Sequence, residues 1–403
     1  MKNIIVFTVT YPYGSKEQFL ETEIEYLSQS FENIIVIPTY VTDKARDTPE
    51  NVSIDIGFAQ QNSNALFFIN SLLSKYFYKE LLDNPFIVLS LSRLSKLSSF
   101  VGKGKSLYKY LKNHYTAKNV FYTYWFNGST FGCYLYDTCV QNISYCTRVH
   151  RHDLYLEVNE DYLPLRPLIL EKITNVFPIS QQGKDYLLNH YSIDKNKLSV
   201  SRLGTKDYNI ITKMSESKDS FSLLSCSHIS PVKRIDTLMK ALSQVAKKNS
   251  ELKISWAHIG TGKEQKRLEG LAYELACENL EMTFLGEMNN KDIFEYYKTS
   301  AIDLFVNVSS SEGLPVTFME AFSCAIPIFT LDNGGISEIV NNENGVLLKQ
   351  DSSFEEIVSG LNDCIQNKDV LALKKHAARS TWEKSYNANK NYIDFCKDLN
   401  ENN

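Results

Sequence analysis

Short apolar runs alternate with amphipathic segments along the second half of the chain. The runs predict strands at 221–227, 252–260, 281–286, 301–309 and 326–332. The segments between them repeat apolar residues with a period near 3.6 and predict helices at 234–248, 263–278, 290–300, 315–325 and 335–341. Because parallel strands are joined by crossover helices, this alternation predicts a doubly wound α/β domain.

The first half is less regular but follows the same plan. Its apolar runs predict strands at 3–9, 33–38, 119–125, 144–150, 174–178 and 198–202. Helices are predicted near 15–29, 127–141, 163–172 and 180–190. We therefore expect two facing Rossmann-like domains, with a ligand cleft at the carboxyl ends of their strands.

A length of 403 residues is too long for a single core and indicates two domains. The polar segment 212–220 is predicted to be the linker between them. We expect an N-terminal domain over residues 1–205 and a C-terminal domain over 206–377. The remaining residues, 378–403, predict a last helix, from about 378 to 400, that could cross back onto the first domain.

Composition narrows the class of protein. The chain is 43% hydrophobic and 22% charged, which excludes long disorder, collagen and a coiled coil. The net charge of −4 gives no sign of nucleic acid as a partner. Eight cysteines without a Cys-x-x-Cys pair predict neither a zinc module nor a disulfide framework, and they favour reduced thiols in the cytoplasm.

Two features bear on location. The N-terminus has one lysine and a brief apolar run before Pro12, which is the pattern of a first strand rather than of a signal peptide. No segment approaches about 18 consecutive apolar residues, so no span across a bilayer is predicted. We expect a cytoplasmic protein, either soluble or peripheral at the inner face of the cell membrane.

Residues 70–118 are strongly basic. They contain Lys75, Lys79, Arg93, Lys96, Lys103, Lys105, Lys109, Lys112 and Lys118 against Glu80 and Asp83. Aromatic and leucine residues are interleaved with these charges. The pattern is typical of a surface that contacts anionic lipid, but it equally fits a solvated helix face whose apolar side is core.

The stretch SSSEGLPVTFMEAFS, residues 309–323, is the most informative part of the chain. Pro315 suits the first position of a helix, and Gly313 leaves the preceding turn without a side chain. The backbone N–H groups of Gly313, Leu314 and Val316 are therefore expected to face the cleft unpaired. Such helix N-termini bind anions.

Two glutamates, Glu312 and Glu320, flank this turn. Glu312 could merely complement the helix dipole, an effect of about 0.3–1 kcal/mol. Glu320 lies inside an otherwise apolar helix, where that explanation fits poorly. Carboxylates placed in this way commonly accept hydrogen bonds from vicinal diols of a sugar or of a nucleotide's ribose.

The segment SEGLPVTFMEAFSCAIPIFTLDNGGISEIVNNENGVLL resembles the donor-binding signature of glycosyltransferase family 4, the retaining GT-B enzymes also called glycosyl transferases group 1. SCSHISPVKRIDTLMKAL is similar to that family's lysine-bearing loop. In the first half, YWFNGSTFGCYL and RVHRHDLY more loosely resemble its acceptor-side elements. The resemblance implies an α/β GT-B fold with an N-terminal acceptor domain and a C-terminal donor domain.

The resemblance also implies roles for individual residues. Glu312 would bind hydroxyls of the donor sugar, and Glu320 the ribose diol. Lys233 would contact the diphosphate and stabilise the leaving group. His150 would lie beside the transferred sugar on the acceptor side, and Gly14 close to the phosphates in the first strand-to-helix loop.

Some positions depart from the family pattern. His228 stands where a diphosphate-binding arginine is usual, and Arg151 where glycine is commoner. His152 is a competitor for the role of His150, and Asp153 is a candidate partner that orients His150. These departures leave the identity of the donor open.

Metal and cofactor expectations follow from the same residues. The chain contains no Asp-x-Asp, the arrangement that commonly holds a divalent ion on a nucleotide diphosphate. We therefore expect metal-independent transfer without a cofactor. The donor would be a nucleotide sugar, with a UDP-sugar favoured.

The function expected from the sequence is retaining transfer of a hexose or N-acetylhexosamine to a glycan acceptor. The acceptor would be linked to a lipid such as polyprenyl diphosphate, in the synthesis of capsule, exopolysaccharide or O-antigen. Two alternatives remain at this point: a catalytically silent GT-B binding subunit and a nucleotide-sugar epimerase. Isomers formed from donor alone would identify the epimerase, and unchanged activity of Glu320→Gln would favour the silent subunit.

Overall fold

The computed structural model describes residues 3–14, 17–116, 118–140 and 143–401. The chain divides into two compact units. Unit 1 comprises the chain up to Arg202 together with the part from Asn389 onward, and unit 2 comprises Leu203–Ala388. Each unit contains its own six-stranded sheet.

Unit 1 is built on a parallel sheet in the order β3-β2-β1-β4-β5-β6. The strands are β1 (Ile4–Thr8), β2 (Ile34–Pro38), β3 (Val52–Ile54), β4 (Val120–Thr123), β5 (Ser144–Val149) and β6 (Asn175–Pro178). Successive side chains of a strand point to opposite faces, so both faces need cover. In β1, Ile5 and Phe7 join the core on one face, and Ile4 and Val6 join the core on the other.

Nine helices precede unit 2 in the described part of the chain. They are α1 (Leu20–Ser30), α2 (Gly57–Gln60), α3 (Asn64–Leu72), α4 (Lys75–Asp83), α5 (Leu91–His114), α6 (Gly128–Val140), α7 (Arg151–Leu154), α8 (Arg166–Lys172) and α9 (Gln181–His190). The helices predicted near 15–29, 127–141, 163–172 and 180–190 correspond to α1, α6, α8 and α9, whereas α2–α5 and α7 were not predicted. The predicted start of α1 at residues 15 and 16 lies outside the described residues.

Unit 2 contains a second parallel sheet in the order β12-β11-β10-β7-β8-β9. The strands are β7 (Ser220–Cys226), β8 (Lys253–Ile259), β9 (Leu280–Gly286), β10 (Leu304–Asn307), β11 (Ile328–Leu331) and β12 (Gly345–Leu348). The helices are α10 (Ile235–Lys248), α11 (Gln265–Leu275), α12 (Asn290–Thr299), α13 (Val316–Ser323), α14 (Phe354–Gln366) and α15 (Lys368–Ser385). Strand order reverses between β7 and β10, which is the point where such sheets bind ligands.

The end of the chain forms two helices where the sequence predicted one over 378–400. α15 ends at Ser385, and the last helix, α16, runs over Ala388–Glu401. The break occurs because the backbone there pairs with Thr205, whose N–H donates to Tyr386 O (3.0 Å) and whose carbonyl accepts from Ala388 N–H (3.0 Å). In unit 1, Phe395 of α16 packs edge-on against Tyr122 at 5.3 Å between ring centroids.

Three local predictions were wrong. The segment 212–220 is not a free linker, because Thr212 N–H donates to Cys324 O (3.0 Å) and Ser215 N–H to Asp303 Oδ1 (3.0 Å) within unit 2. The helix predicted over 335–341 is only a 3₁₀ turn, Ile336–Glu338. The strand predicted over 198–202 is reduced to a single bridge between Leu198 and Val176.

A charged pair is buried in the core of unit 1. Arg148 Nη2 lies 3.0 Å from Glu23 Oε2, with side chains 0% and 1% exposed. Tyr122 donates to the other carboxylate oxygen at 2.6 Å, and Arg148 Nη1 donates to Ser201 O at 2.5 Å. These contacts join α1, β4 and β5 to Ser201, in the segment that leads into unit 2.

We expect Glu23→Ala to lower the free energy of unfolding of unit 1 by about 3–5 kcal/mol, because it leaves the Arg148 guanidinium buried without its counterion. The measurement is urea denaturation followed by circular dichroism. A matched control is Glu295→Ala, which removes the exposed ion pair with Lys298 and should cost about 0–1 kcal/mol. Equal losses for the two variants would contradict the prediction.

Candidate active site

Three loops of unit 2 meet at the carboxyl ends of β7, β10 and β11. The amide of Ser310, after β10, donates to Val232 O after β7 at 2.9 Å. The amide of Gly335, after β11, donates to Gly313 O at 3.2 Å. These bonds fix the loops to one another at the point where strand order reverses.

An ion pair joins two of these loops. Lys233 ends the 3₁₀ turn Pro231–Lys233 after β7, and its Nζ lies 2.7 Å from Glu312 Oε1. Asn307, the last residue of β10, donates to the same oxygen at 3.0 Å. The Glu312 side chain is 8% exposed and that of Lys233 24%, so the pair lies at the edge of the protein interior.

The N-terminus of α13 lies beside this pair. The helix begins at Val316, one residue later than the sequence predicted, and Pro315 is its N-cap with extended backbone rather than its first helical residue. Among the described residues, the amides of Gly313, Leu314 and Val316 have no hydrogen-bond partner. These amides are therefore available to an anion.

Gly334 allows the loop after β11 to approach this turn. Its φ is +61°, and a Cβ at this position would come within 2.2 Å of Glu312 O. A side chain here would push the two loops apart, and the left-handed backbone would be strained as well.

Glu320 is buried within α13, one turn or so after the N-terminus. Its Oε1 accepts a hydrogen bond of 2.6 Å from Asn290 Nδ2, at the start of α12. Burial raises the pKa of the Glu320 carboxyl to about 7, and the bond from Asn290 only partly offsets this. The sequence analysis missed Asn290, since only the fold brings α12 next to α13.

The pKa of the Cys226 thiol, at the end of β7, responds to both Glu320 and Lys233. Burial raises the pKa of this thiol, the nearby Glu320 raises it further, and Lys233 lowers it. Both charges therefore act on one sulfur atom. Glu312 precedes the N-terminus of α13 and Glu320 lies within that helix, so the Lys233–Glu312 pair and Glu320 are connected through α13 and the loop before it.

His228 and two glycines complete the loops around Lys233. The His228 side chain is exposed in the loop between β7 and Lys233. A Cβ on Gly262 would lie 2.0 Å from Ile229 O, and one on Gly260 would lie 2.0 Å from Ser227 O. These glycines allow the loop after β8 to pack directly on the loop that bears Lys233.

In unit 1, His150 follows β5 and is 7% exposed. Its ring is surrounded by those of Trp125, Tyr124 and Phe19, at 4.4, 4.8 and 6.5 Å between centroids. Neither ring nitrogen has a hydrogen-bond partner among the described residues. A buried imidazole without partners is costly unless a ligand supplies them.

Asp153 organises the backbone around His150 rather than its ring. Its carboxylate accepts from His150 N–H at 2.6 Å and from Phe126 N–H at 2.8 Å, whereas His150 Nδ1 lies 3.9 Å away. His152, the competing candidate, is exposed on α7. The two histidines are therefore in different environments.

Glu17, which the sequence analysis did not single out, holds the first strand-to-helix loop. Its carboxylate accepts from the amides of Val9, Thr10 and Tyr11 at 3.1, 2.8 and 2.7 Å. It also accepts from the Trp125 indole at 2.6 Å, and Trp125 packs on His150. Gly14 lies in this loop with φ +64°. In the sequence, the one indication of a role for Glu17 is that this acidic residue follows the turn containing Gly14.

Comparisons with known proteins bear on this arrangement. Residues 208–381, within unit 2, match the family model described as Glycosyl transferases group 1. This match confirms the resemblance to glycosyl transferases group 1 that the sequence motif predicted. The finer assignment to family 4 stays a prediction.

Two relatives share part of the chain. An uncharacterized glycosyltransferase of Haemophilus influenzae is 33% identical over 37% of this chain and 40% of its own length. The O-antigen biosynthesis glycosyltransferase WbnH of Escherichia coli is 27% identical over 45% of this chain and 54% of its own length. The chain thus spans about half the length of these relatives or less.

Solved structures match the whole chain in fold. The lipopolysaccharide outer core galactosyltransferase WaaB aligns with a TM-score of 0.66 and 14% identity over 100% of this chain and 99% of its own. HepE of Anabaena, in complex with UDP and glucose, aligns with a TM-score of 0.65 and 16% identity over 100% of both chains. The predicted α/β fold of the GT-B class is confirmed.

We expect Glu17→Gln to speed hydrogen exchange of the amides of Val9, Thr10 and Tyr11 about tenfold, because a neutral acceptor binds donors more weakly than a carboxylate does. Hydrogen–deuterium exchange read by mass spectrometry on the peptide covering 9–14 measures this. Glu21→Gln, which alters the partly exposed ion pair with Arg46, is the matched control. Unchanged exchange in Glu17→Gln would contradict a positioning role.

Glu320 should also make stability depend on pH. Its pKa is raised from 4.5 to about 7 in the folded protein, so between these values the native state binds more protons than the unfolded state. The free energy of unfolding therefore falls as pH rises through this window. We expect Glu320→Gln to show a smaller fall than the unmodified chain in urea denaturation at pH 4.5 and pH 7, whereas the exposed control Glu281→Gln keeps the full fall. Parallel pH profiles for all three would contradict the assignment.

Proposed function

We propose that the protein is a retaining glycosyltransferase that uses a nucleotide-diphosphate sugar as donor. The observation that carries this proposal is the Lys233–Glu312 ion pair at 2.7 Å beside the unpaired amides at the start of α13, the helix that contains Glu320. A cation and a helix N-terminus together suit a diphosphate. The two carboxylates suit hydroxyl groups on either side of it.

Stabilisation of the leaving group is the central step. When the bond between sugar and diphosphate breaks, negative charge develops on the diphosphate oxygen. Lys233 and the amides of Gly313, Leu314 and Val316 would stabilise that charge from fixed positions. Because Glu312 and the 3₁₀ turn already hold Lys233, little reorganisation would be needed.

The two glutamates would bind different hydroxyls of the donor. Glu312 would accept hydrogen bonds from the donor sugar, and Glu320 from the ribose diol. The raised pKa of Glu320 fits this role, because its buried carboxylate has few donors until a ligand provides them. Asn290 would keep the carboxylate in one orientation.

His150 would act on the acceptor side of the reaction. Its two ring nitrogens lack partners among the described residues, which favours a ligand there. The acceptor hydroxyl would attack on the face from which the diphosphate departs, and a phosphate oxygen would take its proton.

The finer identity of the substrates belongs to the same proposal. The donor would be a UDP-hexose or UDP-N-acetylhexosamine, as the likeness to a fold solved with UDP and glucose supports. The acceptor would be a glycan on a polyprenyl diphosphate carrier in surface polysaccharide synthesis, as the likeness to an O-antigen enzyme supports. Transfer would need neither metal nor cofactor, and the protein would work in the cytoplasm at the membrane's inner face. Among the described residues, no helix combines the length and apolarity that a membrane crossing requires.

The test is thermal stabilisation by UDP-, GDP- and ADP-sugars. A donor at about 100 times its dissociation constant should add about 2.7 kcal/mol to the folded state. Lys233→Met should abolish the shift with the preferred donor, because it removes the cation that lies 2.7 Å from Glu312 Oε1. Lys240→Met, on the exposed face of α10, should keep it.

Absence of any shift with all three classes would overturn the donor proposal. Incubation with donor alone, followed by NMR of the sugar, separates transferase from epimerase. With donor and acceptor, Glu320→Gln should lower turnover at least about tenfold, since it weakens a charge-assisted bond. Unchanged turnover would favour a binding subunit.

A further inference from the structure

Two hydrogen bonds lead from the surface of unit 2 to the buried carboxylate of Glu320. The Tyr208 hydroxyl donates to Asn290 Oδ1 at 3.2 Å, and Asn290 Nδ2 donates to Glu320 Oε1 at 2.6 Å. Tyr208 is 42% exposed, whereas Glu320 is 6% exposed. The Asn290 amide therefore connects a tyrosine at the surface with a carboxylate in the protein interior.

These bonds fix the direction in which the Asn290 amide faces. An ionised carboxylate only accepts hydrogen bonds, so the amide must turn its NH₂ group toward Glu320. The carbonyl oxygen of the amide then faces away from the carboxylate, and the Tyr208 hydroxyl donates to that oxygen. Without this hydroxyl, the Asn290 amide would be held by Glu320 alone.

The Tyr208 side chain is itself held in place. Its ring packs on that of Phe294, on α12, with 4.1 Å between the centroids. Its chain neighbours are anchored as well, because Asp207 forms an ion pair with Arg379 of α15 at 2.5 Å and Asn209 N–H donates to Asp207 Oδ1 at 2.8 Å. A hydroxyl on a restrained ring orients its partner with little further loss of conformational entropy.

The same anchor reaches α13, the helix that contains Glu320. Arg379 also donates to the carbonyl of Ser323, the last residue of α13, and the Ser323 hydroxyl donates to Glu320 O at 2.6 Å. The segment 207–209 is therefore joined to α12 through Tyr208 and to α13 through the Asp207–Arg379 pair. These are the two helices that carry the bond between Asn290 and Glu320.

One oxygen of the Glu320 carboxylate is left for a ligand. Asn290 donates to Oε1, and no other described residue donates a hydrogen bond to this carboxylate, so Oε2 has no partner among them. A largely buried carboxylate oxygen without donors is costly unless a ligand supplies them. The hydroxyls of a ribose diol are donors of this kind.

We propose that Asn290 and Tyr208 are positioning residues that make the site select nucleotides with an intact ribose diol. Asn290 holds Oε1 of Glu320 and leaves Oε2 to the ribose hydroxyls, and Tyr208 keeps Asn290 in that orientation. A site built to bind a hydroxyl rejects an analogue that lacks it, because the polar group of the site is left unpaired. This inference rests on the proposed contact of Glu320 with ribose and deepens it.

The test is isothermal titration calorimetry of the full chain with UDP, GDP and ADP and with the 2′,3′-dideoxy form of each. We expect the preferred ribonucleotide to bind at least about tenfold more tightly than its dideoxy form. Tyr208→Phe removes the hydroxyl and keeps the ring. It should weaken binding of the ribonucleotide about fivefold and leave binding of the dideoxy form unchanged. Asn290→Ala should reduce the preference at least as much.

The matched control is Tyr273→Phe, which removes the hydroxyl of a tyrosine on α11 that is 88% exposed, and it should change neither affinity. Adding Tyr208→Phe to Glu320→Gln should weaken ribonucleotide binding no further than Glu320→Gln alone, because both act through one contact. Thermal unfolding checks that each variant is folded.

Two results with Tyr208→Phe would overturn the inference and leave the donor proposal standing. One is unchanged affinity for the ribonucleotide. The other is an equal loss for the ribonucleotide and its dideoxy form, which would indicate that Tyr208 supports the fold or contacts the base. Absence of binding by all three ribonucleotides to the unmodified chain would overturn both proposals together.

Discussion

The ion pair between Lys233 and Glu312 is the interaction on which the candidate site of unit 2 depends. A carboxylate that is only 8% exposed has lost most of its hydration and needs a nearby cation or hydrogen-bond donors in place of water. Lys233 and Asn307 meet this need and, in doing so, join the loops after β7 and β10. The glycines at 262 and 334 then permit two more loops to close around the pair. The ion pair thus adds a side-chain link between loops that the Ser310–Val232 backbone bond also joins.

Unit 1 uses buried polar groups in two distinct ways. Glu23 and Arg148 neutralise each other in a buried ion pair at 3.0 Å, and the Glu17 carboxylate accepts hydrogen bonds from the first loop and from Trp125, which is typical of groups that hold a structure in place. His150 is enclosed by aromatic rings, yet neither of its nitrogens has a partner among the described residues. This contrast distinguishes a structural polar network from a position suited to a ligand.

Much of the fold could be predicted from periodicity. The segment 234–248 repeats apolar residues at helical spacing, and the structure has α10 there to within one residue. The prediction failed where tertiary contacts override local pattern. Residues 212–220 are polar like a linker, but the Ser215 amide donates to Asp303, which holds the segment against unit 2. The helix expected over 335–341 is a single turn, and its first residue, Gly335, donates to Gly313 O. Asn290 was not foreseen because Glu320 lies 30 residues away in the chain, and the bond that links Glu17 to Trp125 spans 108 residues.

The sequence by itself determined the alternation of strands and helices, the two parallel sheets and the motif with Glu312 and Glu320, because these follow from short-range patterns of residues. The tertiary structure alone decided that Lys233 bonds Glu312, that Glu320 is buried deeply enough to raise its pKa to about 7, and that Asn290 connects Tyr208 with Glu320. Distance, burial and exposure depend on which distant segments pack together, and a linear pattern does not contain that information.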